Sequence, residues 1–170
     1  GGVVTHATAG GKPVTMLLSG PAAGVLGAIH VAELAGHEDI LTLDVGGTST
    51  DVALIEKLAP QMTSYSNIEH YPVKTPMLDI ATVGTGGGSL AWVDQYDNLK
   101  VGPRSSGAEP GPICYGRGGT QPTVTDAALV LGRIPDTLAG GLITLDKPAS
   151  QKAFDEIGER FGMSAEEVAA

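Results

Sequence analysis

Cysteine and long apolar runs are almost absent from this sequence. The single cysteine, Cys114, excludes an internal disulfide and any zinc site built from several cysteines, and it suits a reducing compartment. No apolar run approaches the ~20 residues that span a bilayer, and the N-terminus has no charged start followed by an apolar core. We therefore expect a cytoplasmic protein that has no membrane partner.

Positive charge is also scarce. The chain has 10 lysines and arginines against 19 aspartates and glutamates, so its formal net charge is −9, and the basic residues form no run. A nucleic-acid-binding protein needs a basic patch to neutralise the phosphate backbone. We therefore expect no nucleic-acid partner. An acidic chain can still bind phosphate locally, through backbone N–H groups and a metal ion.

Glycine is abundant instead, with 25 residues that cluster in short runs. Clustered glycines are typical of tight turns, or of backbone that comes close to another group. With 42% hydrophobic and 17% charged residues, the 170-residue chain has the composition of a globular domain. It begins without methionine, ends like an interrupted helix and contains no linker. We therefore expect residues 1–170 to be one fragment of a domain from a longer protein.

Hydrophobic periodicity predicts an α/β fold, a mixed sheet with packed helices. The predicted strands are Val14–Leu18, Ile40–Val45, Asp51–Ile55, Met77–Val83, Ser89–Asp94 and Leu99–Val101. The predicted helices are Ala22–Ala35, capped near Ser19 or Gly20 with Pro21 at its first position and ended by Gly36, then Thr125–Arg133, and a last helix with Phe154, Ile157 and Phe161 on one face. Residues 102–122, rich in glycine and proline, predict a long loop.

The strongest local pattern is the turn between two of these strands. Its glycines let the backbone approach phosphate oxygens and aim N–H groups at them, and the hydroxyls that follow add donors. Asp44 can hold Mg²⁺ through its water shell. The alternative is an ordinary Gly-Gly hairpin with solvated hydroxyls, but acids on both sides, Asp44 and Asp51, favour a phosphate site. The candidate residues are Asp44, Gly46, Gly47, Thr48, Ser49 and Thr50.

The segment Asp44–Asp51 resembles the phosphate motif of the actin, hexokinase and heat-shock-70 ATPase superfamily. The wider chain resembles the hydantoinase A and 5-oxoprolinase family over nearly its whole length and in the right order. The segments that carry this resemblance are Leu18–Val25, the hairpin, Gly86–Ala91, Val101–Pro103, Gly107–Gly116 and Pro122–Ala127.

The resemblance implies a part of an actin-like ATPase fold that uses ATP and Mg²⁺. It also implies ATP-dependent opening of a cyclic amide such as hydantoin, N-methylhydantoin or 5-oxoproline, with a second subunit or domain of the hydantoinase B type. Carboxylation of a ketone, as in the acetone carboxylase branch, and a non-catalytic binding module are the alternatives. The turn at Gly46–Thr50 would be the second phosphate hairpin of the family. The first hairpin is missing from this chain, so we expect the chain alone to be inactive.

Other residues carry two interpretations each. The loop with Gly86 and Gly87 either contacts the nucleotide or only allows a tight turn. Asp126 either caps a helix or orients substrate or metal as a catalytic residue. Cys114 is a possible nucleophile, but single cysteines without a neighbouring histidine are more often inert.

The remaining polar candidates are weaker. Arg104 and Arg117 either contact an anion or bond to loop carbonyls. The four histidines have no metal-ligand spacing, and we expect them on the surface or in loops. These histidines are His6, His30, His37 and His70.

Overall fold

The computed structural model describes residues 4–68 and 71–170, which form two compact units. The first unit contains the chain up to Asp44 together with Asp51–Val83, and the second contains Val45–Thr50 and Gly84–Ala170. The predicted α/β class is confirmed. The division into two units was not predicted, because two of the three points where the chain passes from one unit to the other, Asp44–Val45 and Thr50–Asp51, belong to the predicted hairpin rather than to a linker.

The first unit packs a long helix on a small sheet. Its helices are α1 (His6–Gly11) and α2 (Ser19–Ala35), with a 3₁₀ helix at Pro13–Met16. Its strands are β1 (Ile40–Val45), β2 (Thr50–Glu56), β3 (Ala59–Pro60), β4 (Met62–Thr63), β5 (Ser66–Ile68), β6 (Tyr71–Val73), β7 (Met77–Leu78) and β8 (Ala81–Val83). The end residues Val45 of β1 and Thr50 of β2 belong to the second unit. The main sheet has the order β1-β2-β3, and β8 also pairs with β2. Its core joins Val25 of α2 to Ile55 of β2.

Two predictions in this unit are wrong. Val14–Leu18 is not a buried strand, because the N–H and hydroxyl of Thr15 both donate to the Lys12 carbonyl, at 3.1 and 2.8 Å, and close a 3₁₀ turn. Met77–Val83 is two short strands, β7 and β8, rather than one.

Helix α2 ends as predicted and begins earlier than predicted. Gly36 follows its last residue in the left-handed conformation, with φ of 76°. Ser19 is already helical, and Leu18 is the residue that precedes the helix. Pro21 therefore occupies the third helical position rather than the first.

The second unit combines one hairpin with a group of helices. Its strands are β9 (Ser89–Val93), β10 (Leu99–Ser105), β11 (Thr137–Leu138) and β12 (Ile143–Thr144). Its helices are α3 (Val124–Val130), α4 (Lys147–Phe161) and α5 (Ala165–Ala169), with 3₁₀ helices at Ile113–Tyr115 and Ala139–Gly141. β9 and β10 are antiparallel, with Ala91 opposite Val101. The three helices pack around the buried Phe154.

The boundaries of this unit correct the sequence prediction in two places. β10 continues to Ser105, so the irregular loop is shorter than residues 102–122, and it contains the 3₁₀ helix at Ile113–Tyr115. α3 begins at Val124 and ends at Val130, before the predicted Arg133. Among the helices of the described residues, none is both long enough and apolar enough to cross a bilayer.

Candidate functional site

The turn between β1 and β2 is short and exposed. The Gly46 N–H donates to the Ser49 carbonyl at 2.8 Å, which closes the turn on itself. Neither Gly46 nor Gly47 has a φ in the left-handed region, so the turn does not need glycine for its backbone conformation. A Cβ on Gly47 would meet none of the other described residues within 4 Å. Glycine at this position therefore leaves open space rather than relieving strain.

A second glycine-rich segment, Gly84–Ser89, holds the turn from one side, and we call it the glycine loop. The Gly87 N–H donates to the Gly46 carbonyl at 2.9 Å. The Gly88 N–H donates to the Gly47 carbonyl at 2.6 Å. The Gly46 and Gly47 carbonyl groups thus face the glycine loop.

Peptide geometry then fixes where the N–H groups of the turn point. A peptide unit is planar and trans, so its N–H and its C=O point in opposite directions. The Gly46 carbonyl shares a peptide unit with the Gly47 N–H, and the Gly47 carbonyl shares one with the Thr48 N–H. Both N–H groups therefore point away from the glycine loop, and no acceptor among the described residues receives them. Successive N–H groups of this kind form a concave site for an anion.

The three hydroxyls of the turn have different surroundings. Thr48 is exposed and Ser49 is half-buried, and neither side chain bonds to another residue in the described part of the chain. The Thr50 hydroxyl donates to the Thr85 carbonyl at 2.6 Å. Thr50 thus ties the turn to the glycine loop, and its proton is not available to phosphate. Of the predicted hydroxyl donors, Thr48 and Ser49 remain.

Gly86 and Gly87, the candidates for nucleotide contact or a tight turn, both support the turn at Gly46–Thr50. The Gly86 N–H donates to the Ser89 hydroxyl at 2.9 Å, and the Gly87 N–H is used by the turn itself. A Cβ on the buried Gly86 would lie 2.5 Å from the Gly46 carbonyl oxygen and 2.8 Å from the Ser49 nitrogen. These contacts agree with the tight-turn interpretation. Glycine is required at position 86 because the backbone of the glycine loop comes close to the backbone of the turn.

Thr125, in the first turn of α3, anchors the glycine loop. Its N–H and its hydroxyl both donate to the Gly87 carbonyl at 2.8 Å. The Ser106 N–H donates to the next carbonyl, that of Gly88, also at 2.8 Å. Thr125 was not among the predicted site residues, since it lies 38 positions from Gly87 and a threonine beside a helix start is ordinary.

Asp44 lies in the first unit, where it lines a cavity of about 340 Å³ together with Asp51. The other lining residues come from α2, β1 and Ile80: Pro21, Gly24, Val25, Ala28, Ile40, Leu41, Thr42, Leu43 and Ile80. The Asp51 carboxylate accepts the Thr82 hydroxyl at 2.6 Å. The Asp44 carboxylate is exposed and has no protein donor in the described ranges. Asp44 is thus the acid of this pair whose oxygens are free.

Asp126 is fully buried and saturated with hydrogen bonds. Its carboxylate accepts the N–H of Cys114 at 2.8 Å, of Thr123 at 2.9 Å and of Ile113 at 3.2 Å. The hydroxyls of Thr123 and Ser150 donate to it as well, each at 2.8 Å. It also closes the capping box of α3 with Thr123. The capping interpretation is confirmed, and the predicted catalytic role has no support, because the side chain has no exposed surface for a substrate.

Cys114 lies against this aspartate and is inert. Burial, together with the negative charge of Asp126, raises the pKa of the Cys114 thiol to about 12. The nucleophile is the thiolate, so the thiol form that persists at neutral pH is unreactive.

The two arginines predicted to contact an anion or loop carbonyls, Arg104 and Arg117, each lie beside an aromatic ring. The Arg104 guanidinium lies 5.5 Å from the centre of the Trp92 ring, and that of Arg117 lies 6.0 Å from the Tyr115 ring. Both are cation–π contacts on exposed side chains.

The histidines agree with the prediction as far as the structure describes them. His6, His30 and His37 are exposed, and His70 lies outside the described residues. No cluster of three or more His, Cys, Asp or Glu side chains that could hold a metal occurs within residues 4–68 and 71–170.

Comparison with solved structures shows that ATP-dependent enzymes share this fold. The chain matches the structure of an ATP-dependent caprolactamase from Pseudomonas jessenii with a TM-score of 0.80 and 42% identity, over 92% of this chain and 23% of that one. It matches the nucleotide-free structure of an acetone carboxylase, described for ATP-dependent acetone carboxylation, with a TM-score of 0.80 and 33% identity, over 91% of this chain and 22% of that one.

Sequence comparison then identifies the family. The chain belongs to the hydantoinase/oxoprolinase family, whose profile matches residues 1–170. It is 46% identical to the gamma subunit of acetophenone carboxylase from Aromatoleum aromaticum, over 89% of this chain and 21% of the relative. The chain thus spans about a quarter or less of the length of these three proteins.

Proposed function

We propose that this chain is the part of a longer ATP-dependent enzyme that holds the phosphates of ATP. The observation that carries the proposal is the pair of adjacent N–H groups, those of Gly47 and Thr48, that point out of the turn with no protein acceptor in its described surroundings. The Thr48 and Ser49 hydroxyls lie beside them. N–H groups and hydroxyls in this arrangement suit phosphate oxygens and leave no need for a lysine or arginine.

Mg²⁺ fits the same proposal through Asp44. Mg²⁺ keeps several waters in nucleotide sites and takes only one or two carboxylates, so a cluster of protein ligands is not required. The Asp44 carboxylate is exposed and has no protein donor in residues 4–68 and 71–170, and it comes two positions before Gly46 in the chain. Bound Mg²⁺ would neutralise charge on the phosphates, and Asp44 would hold its water shell.

The activity we propose for the full-length enzyme is ATP-dependent opening of a cyclic amide. The support is the likeness to a caprolactamase, since a lactam is a cyclic amide, and membership of a hydantoinase/oxoprolinase family. Transfer of a phosphoryl group from ATP to the amide oxygen would make the carbonyl carbon a better electrophile for water. We place this activity in the cytoplasm, with a second subunit or domain of the hydantoinase B type completing the hydrolysis.

Carboxylation of a ketone is the second candidate function. The observation that favours it is the 46% identity to a subunit of acetophenone carboxylase. Both candidates use the same step, transfer of phosphoryl from ATP to a carbonyl oxygen. They differ in the next step: in ring opening water attacks the activated carbon and the carbon–nitrogen bond breaks, whereas in carboxylation the ketone loses an α-proton and its α-carbon bonds to carbon dioxide. Phosphate is released in both cases. The protein residues that select one step over the other would contact the substrate rather than belong to the turn at Gly46–Thr50.

The test is nucleotide binding by the full-length protein, measured by calorimetry with and without Mg²⁺. We expect ATP to bind, and Thr48→Val to weaken binding by at least about tenfold, since a hydrogen bond to a charged group contributes roughly 1.5–3 kcal/mol. Thr144→Val, at an exposed threonine of β12 in the same unit, is the matched control and should bind ATP normally. A full-length protein without ATP affinity would overturn the proposal, and so would equal binding by the two variants. A non-catalytic module would bind ATP but release no phosphate with either substrate class.

A further inference from the structure

The glycine loop supports the turn at Gly46–Thr50, which we call the phosphate turn, and Thr125 in turn holds the glycine loop. No step of the proposed reaction uses either of them. We propose that Thr125 and Gly86 are positioning residues that keep the N–H groups of the turn directed at phosphate. This inference rests on the proposed function, because it assigns the support of that same site.

The turn needs such support because its own peptides can rotate. Gly46 and Gly47 have no Cβ, so the peptide units beside them rotate with little steric hindrance. A rotated unit would present its carbonyl oxygen where the N–H had been. Since a carbonyl oxygen repels phosphate, each rotation would exchange a donor for a repulsive group. The bonds from Gly87 and Gly88 to the two carbonyls prevent this exchange.

The support continues through a series of trans peptides. Thr125 holds the Gly87 carbonyl with two hydrogen bonds. The Gly88 N–H belongs to the same peptide unit as that carbonyl, so it points the opposite way, toward the Gly47 carbonyl, 2.6 Å away. The Thr48 N–H belongs to the next unit and points outward. Hydrogen bonds in such a series polarise one another, so a donor at one end strengthens the donor at the other.

A parallel series supports the neighbouring N–H group. The Ser89 N–H donates to the Gly86 carbonyl at 3.0 Å. The Gly87 N–H, in the same peptide unit as that carbonyl, donates to the Gly46 carbonyl at 2.9 Å. The Gly47 N–H then points outward. Each outward N–H group of the turn therefore has its own supporting series.

Contact distances make Gly86 the tightest point of this arrangement. A Cβ on Gly86 would come within 2.9 Å of three backbone atoms of the turn, the Gly46 oxygen, the Ser49 nitrogen and the Gly47 carbonyl carbon. Backbone atoms cannot move aside as the end of a flexible side chain can, so the turn itself would shift. Gly84, in the same loop, is exposed, and a Cβ there would meet nothing within 4 Å of the described residues.

The test compares variants of the full-length protein in three measurements: ATP affinity by calorimetry, kcat and KM for ATP, and hydrogen exchange of a peptide covering the glycine loop. Thr125→Val removes one hydroxyl and keeps the shape. We expect faster exchange in the glycine loop and about tenfold weaker ATP binding, because the Gly87 carbonyl then keeps only one of its two hydrogen bonds from Thr125. Thr125→Ser keeps the hydroxyl and should restore both. Gly86→Ala should weaken ATP binding at least as much, and Gly84→Ala should leave it unchanged.

A control separates positioning from general stability. Val168→Ala removes part of a buried side chain of α5, in the same unit. If it lowers the melting temperature as much as Thr125→Val and also weakens ATP binding as much, the positioning role is overturned. It is overturned too if Thr125→Val loosens the glycine loop while ATP still binds normally. A wild-type protein that binds no ATP would overturn the proposed function, and hydrogen exchange would then report separately on the hydrogen bonds of the loop.

Discussion

Asp44 and Asp126 are two acids with hydroxyl residues close by in sequence, and their surroundings differ completely. Asp44, in the first unit, is exposed, and no donor in the described part of the chain bonds to its carboxylate. Asp126, in the second unit, has no exposed surface and accepts hydrogen bonds from three N–H groups and two hydroxyls. Both fitted a catalytic role in the sequence, and only Asp44 keeps the free oxygens that such a role needs.

The difference shows that the number of hydrogen bonds to the carboxylate, rather than the residue type, separates a structural acid from a functional one. Donors around Asp126 come from the 3₁₀ helix at Ile113–Tyr115, from the start of α3 and from Ser150 of α4. The carboxylate thus joins three segments of the second unit. A free carboxylate joins nothing and can exchange its water for a ligand. The same contrast holds between Thr50, whose proton is used, and Thr48, which has no partner among the described residues.

The largest expected effect tests the structural role of Asp126. Asp126→Ala should lower the free energy of unfolding by at least about 3 kcal/mol, because it leaves several buried donors without an acceptor. The measurement is chemical denaturation of the full-length protein, followed by a probe in the second unit. Asp146→Asn is the control, since Asp146 caps α4 with one bond to the Ala149 N–H and asparagine caps a helix equally well. Equal stability of the two variants would contradict the role of Asp126.

The next largest effect tests the functional role proposed for Asp44. Asp44→Asn should reduce kcat about 100-fold, roughly 3 kcal/mol, because Mg²⁺ positioning matters most as charge develops on the transferring phosphoryl group. ATP affinity should change only a few-fold, and the melting temperature should stay the same. Asp39→Asn, at another exposed acid just before β1, is the control and should turn over normally. Intact turnover with lost ATP affinity would remove Asp44 from the metal role.

Sequence reasoning predicted the elements whose signals are local. The strands on either side of the turn and the end of α2 at Gly36 follow from apolar patterning and from a glycine stop. Val14–Leu18 was predicted wrongly because an apolar run does not reveal whether a neighbouring strand exists. In this chain, bonds from Thr15 to Lys12 close a turn there instead.

The support of the phosphate turn could not be predicted in the same way. The motif at Gly46–Thr50 is visible in the sequence, but the use of each N–H group depends on Gly87 and Thr125, which are far away in the chain. A glycine-rich loop is equally consistent with ligand contact and with backbone packing. The close approach of Gly86 to the Gly46 carbonyl, which the sequence does not reveal, shows the backbone packing.

The smallest expected effect distinguishes two possible reasons for glycine at position 47, a required backbone conformation and room for phosphate. Gly47 has no left-handed φ, and a Cβ at this position would meet none of the described residues within 4 Å, so Gly47→Ala should leave the melting temperature unchanged. If Gly47 leaves room for phosphate, the added methyl group should weaken ATP binding about tenfold, or roughly 1.4 kcal/mol. Thermal unfolding and ATP titration of the full-length variant measure both quantities. Gly27→Ala in α2, where a Cβ also meets nothing within 4 Å of the described residues, should leave ATP affinity unchanged and raise the melting temperature slightly, because alanine favours a helix interior over glycine. Unchanged stability with normal ATP affinity in Gly47→Ala would mean that phosphate does not come close to this turn. The functional role that distinguishes Asp44 from Asp126 would then have no support.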